Sequence, residues 1–561
     1  MESLRNVPLA QSSSAARTVR AESDDVHMSR KNELSEDEWR VPEQVTIHVL
    51  ESPDELADFL TAIRIREMAE SSAHKIAGIL RLIGAPVTVI CEHGYADALY
   101  RDTFYACFSR KFSMFPRDCK RLSFFRGELN PAEFYRYTPE TERLLQERFV
   151  GVCVLKPIRY GEIGETILDP LKLRIPVCYV KTARFRMDVL GHALFVDGYP
   201  YSSQDTETMT CAEITIWSIM EYFGSAFPEY GTVLPSQITA GLDKLSSERT
   251  LPSRGSEYTW MSALFKKFGF APRLYDRRAF SGDAEQEKEF RKLFHYYVES
   301  GIPLAVGISG RKRGEELYHS VVCIGHGDKQ KPVKTAEIGF LGGDTIYPFI
   351  DSAFLREEYV IMDDNQIPYQ VERLDRLTGW DRVEVSTFAV PLHRDVFLDA
   401  GDVAAIVSTV FEDESLGIER LVPEFGEPVD LNNPLILRVF LAPDNAYRRF
   451  RASHAKEPTA AAFYAALRLP RFVWVAEIST YRAYLNRQIY GEIVIDATAG
   501  RNSSLDSLIL VRYLNRLGFR TPEQSSIYGI DDGLKRRTLD LQFPFAMYAD
   551  NLTQCGGDEN L

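Results

Sequence analysis

The chain has 561 residues, 45% of them apolar and 26% charged, the balance of a soluble globular protein large enough to bury its cores without disulfide or metal staples. Its 66 Lys and Arg against 80 Asp and Glu leave a net charge of −14, which opposes nucleic-acid binding, an affinity that Lys and Arg supply by neutralising phosphates. No window approaches the ~20 apolar residues of a membrane span and no signal-peptide pattern opens the chain, so a cytoplasmic protein with no nucleic-acid or membrane partner is expected.

Residues 1–43, rich in serine and charge with Trp39 as the single aromatic, bury too little apolar surface to offset their ordering entropy and read as mostly disordered. Order begins with the strand-like run Val45–Leu50, followed by a helix start at Ser52-Pro53, Ser as N-cap and Pro in the first turn. Further β runs at 87–91 and 149–155, separated by a helical stretch from about Ala96 to Phe112, suggest a first α/β-type domain over 44–195. From Gln204 the texture changes. Helical patterns at 211–223, 237–244, 258–268 and 284–299 precede strands at 302–308, 318–324 and 358–362. Helices first and strands second is the order of an α+β domain, placed at 196–390. A third, β-rich region over 391–561 carries runs at 435–441, 472–478, 493–496 and 508–513.

The eight cysteines, at 91, 107, 119, 153, 178, 211, 323 and 555, form no C-x-x-C pair and no cluster with zinc spacing. They read as reduced thiols, with no metal and no cofactor implied. Cys211 is distinguished by its place. It stands where the apolar helix begins, with Ala212, Ile216, Ile219 and Phe223 on one stripe, and a thiol at a helix N-terminus meets unpaired N–H groups that favour the nucleophilic thiolate. Gln204, upstream across a polar loop, offers a side-chain amide for an oxyanion. His319 opens the buried strand Val321-Val322-Cys323-Ile324, after the strand Gly301–Ile308 and a turn containing Gly310 and Gly314. His326 reads as part of a solvated turn, and Arg311-Lys312-Arg313 as the tip of the hairpin beside His319. The apolar run Tyr359–Met362 stops at Asp363-Asp364-Asn365. A carboxylate there can fix the His319 tautomer. Asp363 is preferred, with Asp364 and then Asn365 as alternatives, because on a strand only one of two successive side chains faces a given neighbour.

The series Gln204, Cys211-Ala212, Gly301-Ile302-Pro303, His319-Ser320-Val321-Val322 with Gly325, and Asp363 resembles the papain-like cysteine peptidases, closest to their bacterial C39-like branch, over about residues 200–375. The resemblance implies a papain-like central domain with helices before an antiparallel sheet. It implies Cys211 as nucleophile, His319 as general base, Asp363 as orienter and Gln204 as oxyanion donor, acting on a protein or peptide substrate through an acyl-thioester. The segment from Asp328 to Leu355 then reads as an insertion. Acyl transfer by the same residues, as in a transglutaminase, and an inactive papain-like binding module are the alternatives.

Overall fold

The computed structural model describes residues 44–557 apart from 66, 206, 248, 254–255, 334–336, 342–345, 413–421, 501–503 and 521–542. The segment 1–43, expected to be disordered, lies outside the described residues. The first β run forms β1 (Val45–Leu50), and Ser52 Oγ accepts the Asp54 N–H at 3.2 Å to start the short turn of helix at Pro53–Glu55. Then come α1 (Leu56–Ala62), α2 (Glu70–Ile83), β2 (Val87–Tyr95), α3 (Ala98–Ala106), β3 (Cys119–Arg126), α4 (Pro139–Arg148), β4 (Phe149–Leu155) and β5 (Ile163–Leu168). The five strands make one antiparallel meander in chain order. Each needs only its neighbour in sequence, which is why local patterning finds most of it. After β6 (Cys178–Val180), a hairpin of β7 (Ala183–Val189) and β8 (His192–Gly198) follows. Residues of β8 alternate strictly between buried and exposed, the signature of a strand covered on one face.

The central region opens with α5 (Cys211–Ala226), α6 (Pro235–Leu242) and α7 (Tyr258–Lys267), continues through β9 (Arg273–Asp276) to α8 (Ala284–Glu299), and then forms β10 (Leu304–Lys312) and β11 (Glu315–Gly327). Arg313 and Gly314, both at positive φ, make the two-residue turn between β10 and β11, and their left-handed conformation matches the twist of the flanking strands. Next come β12 (Gly339–Leu341), β13 (Tyr347–Asp351), α9 (Ser352–Leu355), β14 (Tyr359–Met362), β15 (Gln370–Glu372) and β16 (Arg382–Val390). The central sheet runs β15-β14-β11-β10-β16-β9 and is antiparallel throughout. It has apolar cores on both faces: Val322, Ile324, Val360 and Met362 enter one, Val321, Cys323, Tyr359 and Ile361 the other. Helix α5 is correspondingly buried on nearly all sides, including Ile214, Trp217 and Ser218, and not along a single stripe.

The last region adds α10 (Ala400–Glu412), β17 (Leu435–Pro443), α11 (Asp444–Ser453), α12 (Pro458–Ala466), β18 (Phe472–Thr480), α13 (Tyr481–Leu485), β19 (Gln488–Ile489), β20 (Gly491–Asp496), β21 (Leu508–Tyr513), β22 (Arg516–Phe519), β23 (Phe545–Ala546) and β24 (Thr553–Cys555). The whole is an α+β protein. Strands are exchanged across the boundaries expected at 195/196 and 390/391. From the first region, β6 pairs with the far end of β11, and the C-terminal β24 pairs with β6. From the segment 328–355, β13 pairs parallel to β17 and, with β12, forms the edge of the seven-stranded C-terminal sheet. Shared hydrogen-bond ladders join the three regions into one compact unit. His326, expected in a solvated turn, is buried within β11 for the same reason: β6 covers that end of the strand. Among the described residues no helix is long and apolar enough to cross a membrane.

Candidate active site

The approach to Cys211 is shaped by one carboxylate. Asp205 Oδ1 accepts the N–H groups of Glu207, Thr208 and Met209 at 2.7–2.9 Å, and the Asp205 N–H donates to the Met209 carbonyl at 3.0 Å. That knot folds the chain between Gln204 and Cys211 into a closed loop. Helix α5 then starts with a capping box in which the Thr210 N–H donates to Glu213 Oε2 at 3.0 Å. The hydroxyls of Ser253 and Ser256 both donate to Glu213 Oε1 at 3.0 Å. Cys211, half-buried, is the first residue of the helix. One turn on, Thr215 Oγ1 accepts the Ser320 hydroxyl at 3.0 Å, which fixes α5 against β11 next to His319.

His319 lies close enough to the Cys211 thiol for the thiol to help raise the imidazole's pKa. Its Nε2 is 2.8 Å from Asp363 Oδ1 and 3.1 Å from Asp364 Oδ1. Strand alternation was expected to admit only one of the two, and along β14 it holds as far as Met362. There the strand ends. The Gln366 N–H donates to the Asp363 carbonyl at 2.9 Å, and this turn swings Asp364 back toward the imidazole. Asn365 belongs to the same group: its N–H donates to Asp363 Oδ1 at 2.9 Å, and its Nδ2 lies 3.1 Å from His319 Nε2. Gln204 Nε2 in turn donates to Asn365 Oδ1 at 2.9 Å. All six residues singled out from the sequence therefore meet in one place.

Burial disfavours the charged imidazole, but the charge and hydrogen bond of Asp363, reinforced by Asp364 and Cys211, hold the His319 pKa well above its usual value. The two carboxyls separate. Asp363 is below the ordinary carboxylate range, because the His319 charge and hydrogen bond overcome burial with help from the Asn365 N–H. Asp364 is above it, raised by burial and by repulsion from Asp363. Its Oδ2 has no partner among the described residues, and the residue lines a small cavity with Ser202, Thr215, Ser218 and Ser320.

Several neighbours were not legible in the sequence. Lys75 of α2 donates to the Asp364 carbonyl and to Ser203 Oγ, both at 2.6 Å. Tyr258, at the start of α7, lies near Cys211. Gly307 in β10 leaves room for the Tyr258 ring, since a Cβ there would lie 2.5 Å from Tyr258 Cε2. The Trp380 ring sits 6.4 Å from that of His319, with Lys312 Nζ 5.6 Å from the Trp380 centroid. Lys75, Tyr258 and Trp380 come from distant segments with no local motif, whereas Lys312 belongs to the hairpin tip expected beside His319. His319, Asp363 and Asp364 also each offer a possible metal-ligand atom within 4.8 Å of the others. A divalent cation there must displace the proton that the carboxylates favour on Nε2 and share the site with the ammonium of Lys75, so the donor set suits a proton better than a metal. Comparison with family models and with curated proteins returns no match.

Proposed function

We propose that the protein is a cysteine-dependent amide hydrolase, a peptidase or isopeptidase whose central region has the papain-like arrangement. The observation that carries this is the set Cys211, His319 and Asp363: a thiol at the first position of a buried helix, an imidazole within its reach, and a carboxylate 2.8 Å from the imidazole's Nε2. The carboxylates occupy Nε2, which leaves Nδ1 for the thiol. His319 takes the thiol proton, the thiolate adds to the amide carbonyl, and the imidazolium protonates the departing amine. Water, deprotonated by the same ring, then cleaves the acyl-thioester. Asp363 keeps the proton on Nε2 throughout.

Gln204 fits the oxyanion role through a coupled change of two amides. With a proton on Nε2, Asn365 is better placed with Oδ1 toward the imidazole. Turning it presents its Nδ2 to Gln204 Oε1, and Gln204 Nε2 is then free for the oxyanion. Acyl transfer to an amine in place of water uses the same residues and differs only in the second nucleophile. Incubation with an activated acyl ester, followed by acid quench and peptide mapping, tests the reading. An acyl group on Cys211, absent in Cys211→Ala and in His319→Ala, is expected; acylation elsewhere, or none, contradicts it.

A further inference from the structure

The central site contains a charge imbalance. Asp363 and Asp364 both approach His319 Nε2, but a single imidazolium neutralises only one carboxylate. Lys312 of β10 acts on Asp363, but the cation that acts on Asp364 comes from outside the central region. Lys75 belongs to α2, packed under the first sheet, and it reaches across to the Asp364 carbonyl and to the hydroxyl of Ser203, next to Gln204. The approach is close: at Gly78, one turn further along α2, a Cβ would lie 2.6 Å from Ile367 Cγ2 in the turn that carries the acids. Lys156, at the end of β4, supports the same loop by donating to the Ser203 carbonyl at 3.1 Å. Tyr201 closes the other side, its hydroxyl donating to the Gln366 carbonyl at 2.5 Å.

We infer that Lys75 is a positioning residue of the proposed thiol site: its ammonium balances the second carboxylate and ties the Gln204 loop to the Asp363–Gln366 turn. The inference rests on the proposed function and assigns the N-terminal region a part in it. The groups facing Lys75 are Asp364 and Asp363 from the turn after β14, Lys156 from the end of β4 and Glu162 just before β5. Burial lowers Lys75 to about 8, against the pull of Asp364 and Asp363. The ammonium is therefore present at neutral pH and lost in mild alkali.

The test is the rate of Cys211 alkylation by iodoacetamide between pH 5 and 9 in the full chain, with thermal melting of each variant alongside. Lys75→Met should move the midpoint of the rate–pH curve upward by up to about one pH unit, the order of shift that losing a neighbouring charge produces. Lys75→Arg should stay near the parent, and the parent and Lys75→Met curves should converge above pH ~8. Lys75→Gln, which keeps a hydrogen-bond donor without the charge, should follow Lys75→Met and decides the matter if the methionine variant does not fold. A parent-like curve in Lys75→Gln overturns the inference, as does an equal displacement in Lys75→Arg and Lys75→Gln. If Cys211 shows no preferential alkylation in the parent, the thiol-enzyme reading fails as well; a selective parent with an unmoved Lys75→Gln removes the role of Lys75 alone.

Discussion

Strand β11 carries two histidines, His319 partly buried in its first half and His326 buried near its end, and they face opposite electrostatic surroundings. His319 meets two carboxylates that no arginine among the described residues pairs with, and its pKa is held high. At the other end, Glu299 Oε1 is 3.2 Å from His326 Nε2 and 3.3 Å from His295 Nε2, but its Oε2 already accepts from Arg438 Nε at 2.9 Å. Burial dominates there, and both rings are pushed below the usual histidine value. His319 is slightly less deep than His295 and His326, but the larger difference is prior occupation of the carboxylate. A histidine beside a free acid is poised to hold a proton, whereas one beside an acid held by arginine is a neutral packing group.

The largest expected effect separates the two ends directly. His319→Ala should slow acylation of Cys211 by about 10²–10⁴-fold, the typical contribution of a positioned general base, while His326→Ala should leave the rate within about twofold and lower the melting temperature. A comparable loss in both would erase the distinction. Next in size is Glu299→Gln. It strips Arg438 of a buried counter-charge, and urea denaturation should read a loss of about 3–5 kcal/mol, with the acylation rate of the folded fraction preserved. Within the site, Asp363→Asn should cost about a hundredfold in acylation rate, because the amide no longer fixes the Nε2 proton. Asp364→Asn should cost about tenfold or less, since Asp363 retains the shorter contact. Equal losses would mean that the two acids act as one pair.

The smallest effect is in the pH dependence of stability, and its sign differs between the clusters. A histidine with lowered pKa binds fewer protons folded than unfolded, so the stability from neutral His295 and His326 is complete above about pH 6.5 and is lost as pH falls below it. The raised His319 contributes stability that is complete below about pH 6.5 and lost as pH rises through its elevated value. Melting curves of His326→Gln should therefore fall less steeply on acidification than the parent, and those of His319→Gln less steeply on alkalinisation. Slopes unchanged from the parent would count against the assigned protonation states.

The sequence located α5, α8, β10, β11 and β14 because each carries its own periodicity or cap, and it singled out Cys211 and Asp363 because they stand at the edges of α5 and β14, and His319 because it precedes the apolar run of β11. It misjudged what depends on long-range pairing. The exclusion of Asp364 assumed an extended chain beyond Met362, where a turn begins. His326 looked solvated because nothing near it in sequence announces β6. The insertion at 328–355 gave no sign that β13 would join β17. Lys75 was illegible for the same reason: a lysine on an amphipathic helix reads as surface until the fold buries it against Asp364.

The central claim is an activated thiol, and competitive alkylation tests it most directly. Cys211 and Cys107 are both half-buried and the other six cysteines are buried, so Cys107 is the internal standard for access without activation. Brief iodoacetamide treatment at neutral pH, read by peptide mass spectrometry, should modify Cys211 well ahead of Cys107 in the parent, and at a comparable rate in His319→Ala. Equal labelling of the two in the parent, or a preference for Cys211 that survives the loss of His319, would contradict the account.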